Sequence, residues 1–235
     1  MSLFPVYCCC CCRRRPLDDD DGGERERLRA PQSVRQLQCA TDAVSMKDGR
    51  ITAKVVNVAD LDRCFADIVN TFNDQQVNYL TLCESTRLLK EHCQCISSDM
   101  LIDCIKTLQQ EHSGFAVNVE MKGYNFSLSV ESTQSIPKQL QQVQQCVKEL
   151  CASTKSIIAA DPKLQEMINS MVQSEEENLE RVKLASNTYQ DQTRCLSNMR
   201  MNFKEIKRAK ELSNTYREAA YSVLRDMAQV AGINV

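Results

Sequence analysis

The sequence has few of the residues from which most enzymes build an active site. It contains six glycines, two histidines and no tryptophan, and only 5% of its residues are aromatic. The glycines are too scattered to form a loop that cradles a phosphate or a dinucleotide. Acid–base chemistry would depend on carboxylates, and no acidic pair stands next to an apolar segment suited to form a pocket. We therefore predict a protein without enzymatic activity, without catalytic residues and without a cofactor.

A strong excess of charge, a long apolar run and a secretory signal are missing as well. The formal net charge is −2 at pH 7, which does not favour nucleic acid as a partner. No run approaches the roughly 18 apolar residues of a membrane-spanning helix. In a secretory signal the basic residues precede the apolar stretch, whereas here Arg13 follows the apolar residues 3–12. We expect an intracellular, cytoplasmic protein, with the nucleus or the membrane periphery as alternatives, and neither a secreted nor a transmembrane one.

Cysteine, in contrast, is abundant, with 14 residues that we expect to be reduced thiols in an intracellular setting. Five of them stand together just before three arginines: Cys8, Cys9, Cys10, Cys11 and Cys12. Thiols beside apolar residues and a basic patch suit S-acylation, for example with palmitate, which would bring the chain to the membrane periphery. The acidic run at residues 18–21 weakens the basic patch. The alternative is a leader segment without function.

Residues of the types that bind metal ions occur close together between positions 83 and 112. They are Cys83, His92, Cys93, Cys95, Cys104 and His112. The spacing argues against a zinc site, because Cys93 and Cys95 are two residues apart and point to different faces of a helix. Buried cysteine behaves as a small apolar side chain. We therefore predict that these thiols pack in the core and that no metal is bound.

Three segments of the chain differ in composition and pattern. Residues 1–48 are rich in Cys, Arg and Asp and have few large apolar residues, which predicts a disordered tail. Residues 49–133 are expected to form a small α+β segment. Within it, the β-branched residues 51–58 suggest one short strand, and the strict alternation over residues 115–130 predicts a β-hairpin. Residues 134–235 are expected to form a long helical coiled-coil region.

The C-terminal segment has the most extended helical pattern. Asp161 suits an N-cap and Pro162 a first helical residue, which predicts a break between two helices. Residues 163–230 contain neither Gly nor Pro, and one helix over them would be about 100 Å long. Such a helix pairs with another chain or folds back on the earlier helices, with residues 185–193 as the most polar place for a bend. The apolar positions form a C-terminal seam that we predict to bind a partner: Leu164, Ile168, Met171, Leu179, Val182, Leu196, Met199, Phe203, Ile206, Val223 and Met227.

A second pattern in the same segment is a basic stripe at helical spacing. It consists of Arg200, Lys204, Lys207, Arg208 and Lys210. An acidic group lies upstream, at residues 175–177 and at Glu180. Opposite charges on one helix can set the register with a partner helix. The alternative interpretation is that both groups are solvated helix faces.

These patterns predict a mainly α protein, a coiled coil or helical bundle with one small β-hairpin between helices and a disordered N-terminal tail. We expect a non-enzymatic interaction or scaffolding protein, a subunit of a multi-protein assembly that forms homo- or hetero-oligomers through coiled-coil pairing. The alternative is a winged-helix-like nucleic-acid-binding protein dimerised by its C-terminal coiled coil. Groove binding needs a basic recognition helix, and the short helix and the hairpin offer only Lys106 and Lys122, so nucleic acid is disfavoured.

Overall fold

The computed structural model describes residues 49–98 and 100–233. These residues form five α-helices and one two-stranded antiparallel sheet, and they confirm a mainly α fold with a β-hairpin between helices. The elements are α1 (Ala59–His92), α2 (Leu101–Glu111), β1 (Ala116–Lys122), β2 (Asn125–Glu131), α3 (Lys138–Gln173), α4 (Glu175–Ala185) and α5 (Tyr189–Val230). The predicted disordered tail, residues 1–48, lies outside the described residues.

Three long helices, α1, α3 and α5, form the body of the fold. Each carries apolar side chains at helical spacing along one face, and these faces meet because α1 packs against α3 and both contact α5. Aromatic rings join the helices: the Phe65 and Phe203 rings lie 5.7 Å apart at an angle of 82°, and the rings of Tyr79 and Tyr216 stack at 4.2 Å. One hydrophobic core therefore draws residues from both predicted structured segments.

Helix α3 passes through Pro162 without a break, so the predicted helix boundary at Asp161 is wrong. A proline inside a helix provides no N–H for the carbonyl four residues earlier, which here belongs to Ile158. Next to this missing hydrogen bond, the carbonyl of Ile157 accepts a hydrogen bond from Gln75 Nε2 of α1 (3.2 Å). Packing against α1 thus supports a helix whose local sequence favours a stop.

Asp161 links two helices and does not act as an N-cap. Its side chain is buried and accepts hydrogen bonds from Ser213 Oγ and from Arg217 Nη1, both at 3.1 Å. A buried carboxylate is stable when it is paired and hydrogen-bonded. Asp161 therefore fixes the register between α3 and α5.

The residues after Pro162 fold back on the earlier helices and do not form one rod. Helix α3 ends at Gln173, α4 ends at Ala185, and the chain turns before α5 begins at Tyr189. Thr188 caps α5, since its Oγ1 accepts a hydrogen bond from the backbone N–H of Asp191 (3.2 Å). The bend predicted at residues 185–193 is confirmed.

Residues 51–58, the entry segment, belong to no strand, so the predicted strand is wrong. Asparagine side chains take the place of a neighbouring strand. The Asn73 amide both accepts from the backbone N–H of Ile51 and donates to its carbonyl, at 3.1 Å each. Asn202 does the same for Lys54, at 2.8 and 2.7 Å. These bonds dock the segment against α1 and α5, with Ile51 and Val56 in the core.

The hairpin follows the predicted alternation closely. Its strands pair in register, and the cross-strand pairs on the apolar face are Val117 with Val130, Val119 with Leu128, and Met121 with Phe126. The loop is Gly123–Tyr124, and Gly123 has a φ of 58°, a positive value that glycine adopts without strain. Strand β2 packs on α3, which covers the apolar face.

Candidate interaction surfaces

The C-terminal seam is filled by the chain's own helices. Nine of its predicted residues are buried in the core, and Leu179 and Leu196 are half-buried against it. The buried residues are Leu164, Ile168, Met171, Val182, Met199, Phe203, Ile206, Val223 and Met227. Of the two alternatives for this seam, pairing with another chain or folding back, the described residues show the second: α1 and α3 supply the facing surfaces within the chain. Binding of another protein by these residues stays a prediction.

An open groove runs between the outer faces of α1 and α3. It has a volume of about 550 Å³, and we call it the α1–α3 groove. Its lining residues are Arg50, Val77, Leu80, Thr81, Glu84, Ser85 and Glu149. Val77 is 47% exposed and Leu80 is 37% exposed, although both are large apolar residues. Solvent-exposed apolar side chains grouped in a concave surface are a feature of binding sites.

Charged groups stand around this groove and are held in place by their neighbours. Glu84 forms an ion pair with Arg87 at 2.6 Å, and Arg87 also pairs with Glu91. The hydrogen bond from Arg87 lowers the pKa of the Glu84 carboxyl below its usual value. On the α3 side, Ser85 Oγ donates to Glu149 Oε2 at 3.4 Å. Two carboxylates, Glu84 and Glu149, therefore line the groove beside the cation of Arg50, and Glu84 is partly neutralised by Arg87.

The basic stripe lies on the outer face of α5, where four of its five side chains are exposed. Lys207 pairs with Glu175 at 2.6 Å, and Arg208 pairs with Glu205 at 3.5 Å. Lys210 donates to the neutral amide oxygen of Asn169 at 2.8 Å. Glu175, a residue of the upstream acidic group, therefore forms an ion pair with the basic stripe of its own chain.

A second groove follows this face of α5, with a volume of about 430 Å³. We call it the α5 groove; its lining residues are Glu175, Arg200, Phe203, Lys204, Lys207, Arg208 and Glu211. Phe203 is 1% exposed and forms the base, with Lys207 Nζ 5.8 Å from its ring centroid. This distance allows a cation–π attraction that orients the lysine along the groove. Four cations and two carboxylates line the groove, so it carries an excess of two positive charges.

The cysteines of the predicted ligand cluster are placed in or near the core. Cys93 and Cys104 are fully buried, and burial raises the pKa of each thiol to about 12. A thiol with so high a pKa stays protonated at neutral pH, and only a thiolate is a good nucleophile or metal ligand. Within the described ranges, no group of three or more His, Cys, Asp or Glu side chains is arranged to hold a metal ion.

Lys106 and Lys122, the bases of the winged-helix alternative, are both exposed. Lys106 lies on α2 and Lys122 at the end of β1, on two separate elements. None of the described helices combines the length and the apolarity that crossing a bilayer requires. The five cysteines predicted to be acylated, Cys8 to Cys12, lie outside the described residues, and their modification stays a prediction.

Comparison with family models, with curated proteins and with solved structures finds no match for this chain. The sequence pattern indicated the basic stripe as a candidate site and gave no such indication for Val77 and Leu80. Both are apolar residues of α1 that lie next to its buried face. Only the packing of α1 shows that these two side chains remain exposed.

Proposed function

We propose that this protein is a non-enzymatic interaction protein, a helical subunit that binds a helix of another protein in the α1–α3 groove. The observation that supports this proposal is the exposure of Val77 and Leu80, one helical turn apart, within a concave surface. Coiled-coil pairing then takes place at this outer groove, with the C-terminal seam serving the chain's own core.

The spacing of the groove residues fits a helical partner. The residues that α1 contributes stand at positions 77, 80, 81, 84 and 85, which is the i, i+3, i+4, i+7, i+8 pattern of one helix face. Side chains of a facing helix insert between residues at this spacing. The partner helix is expected to carry apolar residues opposite Val77 and Leu80 and basic residues opposite Glu84 and Glu149.

The energy available from this contact follows from the two exposed side chains. Complete burial of a valine or leucine contributes about 1.5–3 kcal/mol, and these two retain less than half of their surface exposed. We therefore assign roughly 1 kcal/mol to each. Removing both contributions is expected to weaken binding by roughly 30-fold.

The test compares the full-length protein with the double variant Val77→Glu/Leu80→Glu by affinity purification and mass spectrometry. A matched control is Leu184→Glu, which changes another exposed leucine, on α4 and outside both grooves. Circular dichroism checks that all three proteins melt alike. We expect at least one protein to copurify with wild type and Leu184→Glu and to be lost with the double variant.

Binding of that protein is then measured with purified components. A dimer by light scattering that becomes a monomer only in the double variant would identify a second copy of this chain as the partner. If the double variant folds normally and retains every binding partner in unchanged amount, the groove is not the binding surface and the proposal is wrong.

A further inference from the structure

The cations of the α5 groove share one helix face. Arg200, Lys204, Lys207 and Arg208 stand at intervals of four, three and one residues, and they span two turns of α5. Their side chains surround a narrow groove with the buried Phe203 ring at its base. From this arrangement we propose a second binding site, which takes an acidic helical segment of another protein.

The positive charge of this groove is only partly neutralised within the fold. Glu175 pairs with Lys207 and Glu205 pairs with Arg208. In the part of the chain that the structure describes, neither Arg200 nor Lys204 takes part in an ion pair at 4 Å or less. These two exposed cations are one helical turn apart, so they can pair with two carboxylates that are also one turn apart on a facing helix.

The acidic residues on the same face of α5 favour one class of anionic partner, a protein segment, over another, nucleic acid. Glu175 and Glu211 line the groove, and Glu205 lies beside it. A nucleic acid presents an unbroken series of phosphates, some of which would face these carboxylates. A helix can place its acidic residues opposite the cations and other residues opposite the carboxylates. A mixed pattern of charge therefore favours a protein segment over nucleic acid.

A membrane surface fits this groove less well than a protein segment does. Binding of a helix at a lipid interface requires exposed apolar side chains on the face that carries or adjoins the cations. The apolar residue that lines this groove, Phe203, is buried at its base and unavailable to lipid. Met201, next to Arg200, is 38% exposed, but one such side chain offers little apolar surface to a bilayer.

This site shares no residue with the α1–α3 groove, so the two proposals can fail separately. The test measures fluorescence anisotropy with the full-length protein. The probe is a synthetic helical peptide with glutamates at i, i+4 and i+7, and the reference is a scrambled peptide of identical composition. Duplex DNA and vesicles containing phosphatidylserine are the competing anions.

We expect the patterned peptide to bind about tenfold more tightly than the scrambled one. The variant Arg200→Glu/Lys204→Glu should weaken its binding by about tenfold or more, because two attractive pairs become repulsive. Lys106→Glu, an exposed lysine on α2, is the matched control and should bind as wild type does. Raising the salt concentration should weaken the complex, since these charges are exposed.

Three results would overturn the proposal. The first is equal affinity for the patterned and scrambled peptides, and the second is unchanged binding by the folded double variant. The third is tighter binding of DNA or of the vesicles than of the peptide, with loss in the same double variant.

Discussion

Asn202 attaches the entry segment to α5 through two hydrogen bonds to the backbone of Lys54. The asparagine is 1% exposed, and the oxygen and the nitrogen of its side-chain amide each form one of these bonds. The change Asn202→Ala removes the acceptor and the donor together, and Asn202 lines neither of the two proposed binding grooves. It therefore tests whether side-chain amides, in place of a neighbouring strand, hold this segment.

The magnitude follows from the bonds that are lost. A hydrogen bond contributes about 0.5–1.5 kcal/mol net, so the two bonds contribute about 2 kcal/mol. Lys54 is exposed, and its freed backbone groups can bind water, which limits any further penalty. Complete detachment would also expose Ile51 and Val56, at about 1.5–3 kcal/mol each. The segment should therefore stay docked in the variant but open about 30-fold more often.

Limited proteolysis with trypsin measures this opening, because Arg50 and Lys54 are cleavage sites within or next to the segment. We expect cleavage after Lys54 to be about 30-fold faster in Asn202→Ala, since the rate follows the population of the open state. Urea denaturation should show a loss of about 2 kcal/mol. Asn198→Ala is the control: it removes a single bond, to the Val55 carbonyl at 2.8 Å, and should cost about 1 kcal/mol or less. Equal cleavage rates in Asn202→Ala and wild type would refute the reasoning.

Two further predictions concern buried carboxylates. Asp161→Ala should lower the free energy of unfolding in urea by about 2–3 kcal/mol, because it removes the buried partner that Arg217 and Ser213 share. Glu218→Ala, which removes the exposed partner of the same arginine, should change it by less than about 0.5 kcal/mol, and equal effects would contradict this. Burial raises the pKa of Asp226 above its ordinary 3.8, so stability from this group is greatest below pH 3.8 and falls as pH rises through the raised value. Asp226→Asn should therefore stabilise the protein at pH 7 and not at low pH; an unchanged difference across this range would contradict the assignment.

The periodicity of the sequence was sufficient for the secondary structure in most of the described chain. Alternation over residues 115–130 predicted the hairpin, because a strand with one covered face needs apolar residues at every second position. The helical spacing of the seam residues Leu164, Ile168 and Met171 predicted the second half of α3 and its buried face in the same way. Both features depend on local geometry, which the order of residues determines directly.

Two local predictions failed because tertiary contacts outweighed local preference. Pro162 favours a break, yet α3 continues, supported by Gln75 on α1 and by the contacts of Asp161 with α5. The β-branched residues 51–58 favour a strand, yet no neighbouring strand reaches them, and Asn73 and Asn202 bind their backbone instead. The residues that decide each case lie far away in the sequence.

The candidate surfaces were also only partly evident from the sequence. The spacing of the basic stripe was evident in the sequence, because Arg200 and Lys204 are one helical turn apart on any helix. The ion pair between its Lys207 and Glu175 depends on the packing of α4 against α5, which the sequence does not show. The exposure of Val77 and Leu80 also depends on which face of α1 meets α3.

The sequence by itself determined that the chain is mainly helical, that residues 115–130 form a hairpin, and that one apolar seam runs through the C-terminal segment. The tertiary structure alone decided that this seam is used within the chain. The physical reason is that an apolar helix face gains the same free energy from any complementary face, whether on another chain or on its own. Turns at Ser174 and before Thr188 bring α5 back to α1 and α3, and the two outer grooves are the surfaces on which we propose that other proteins bind.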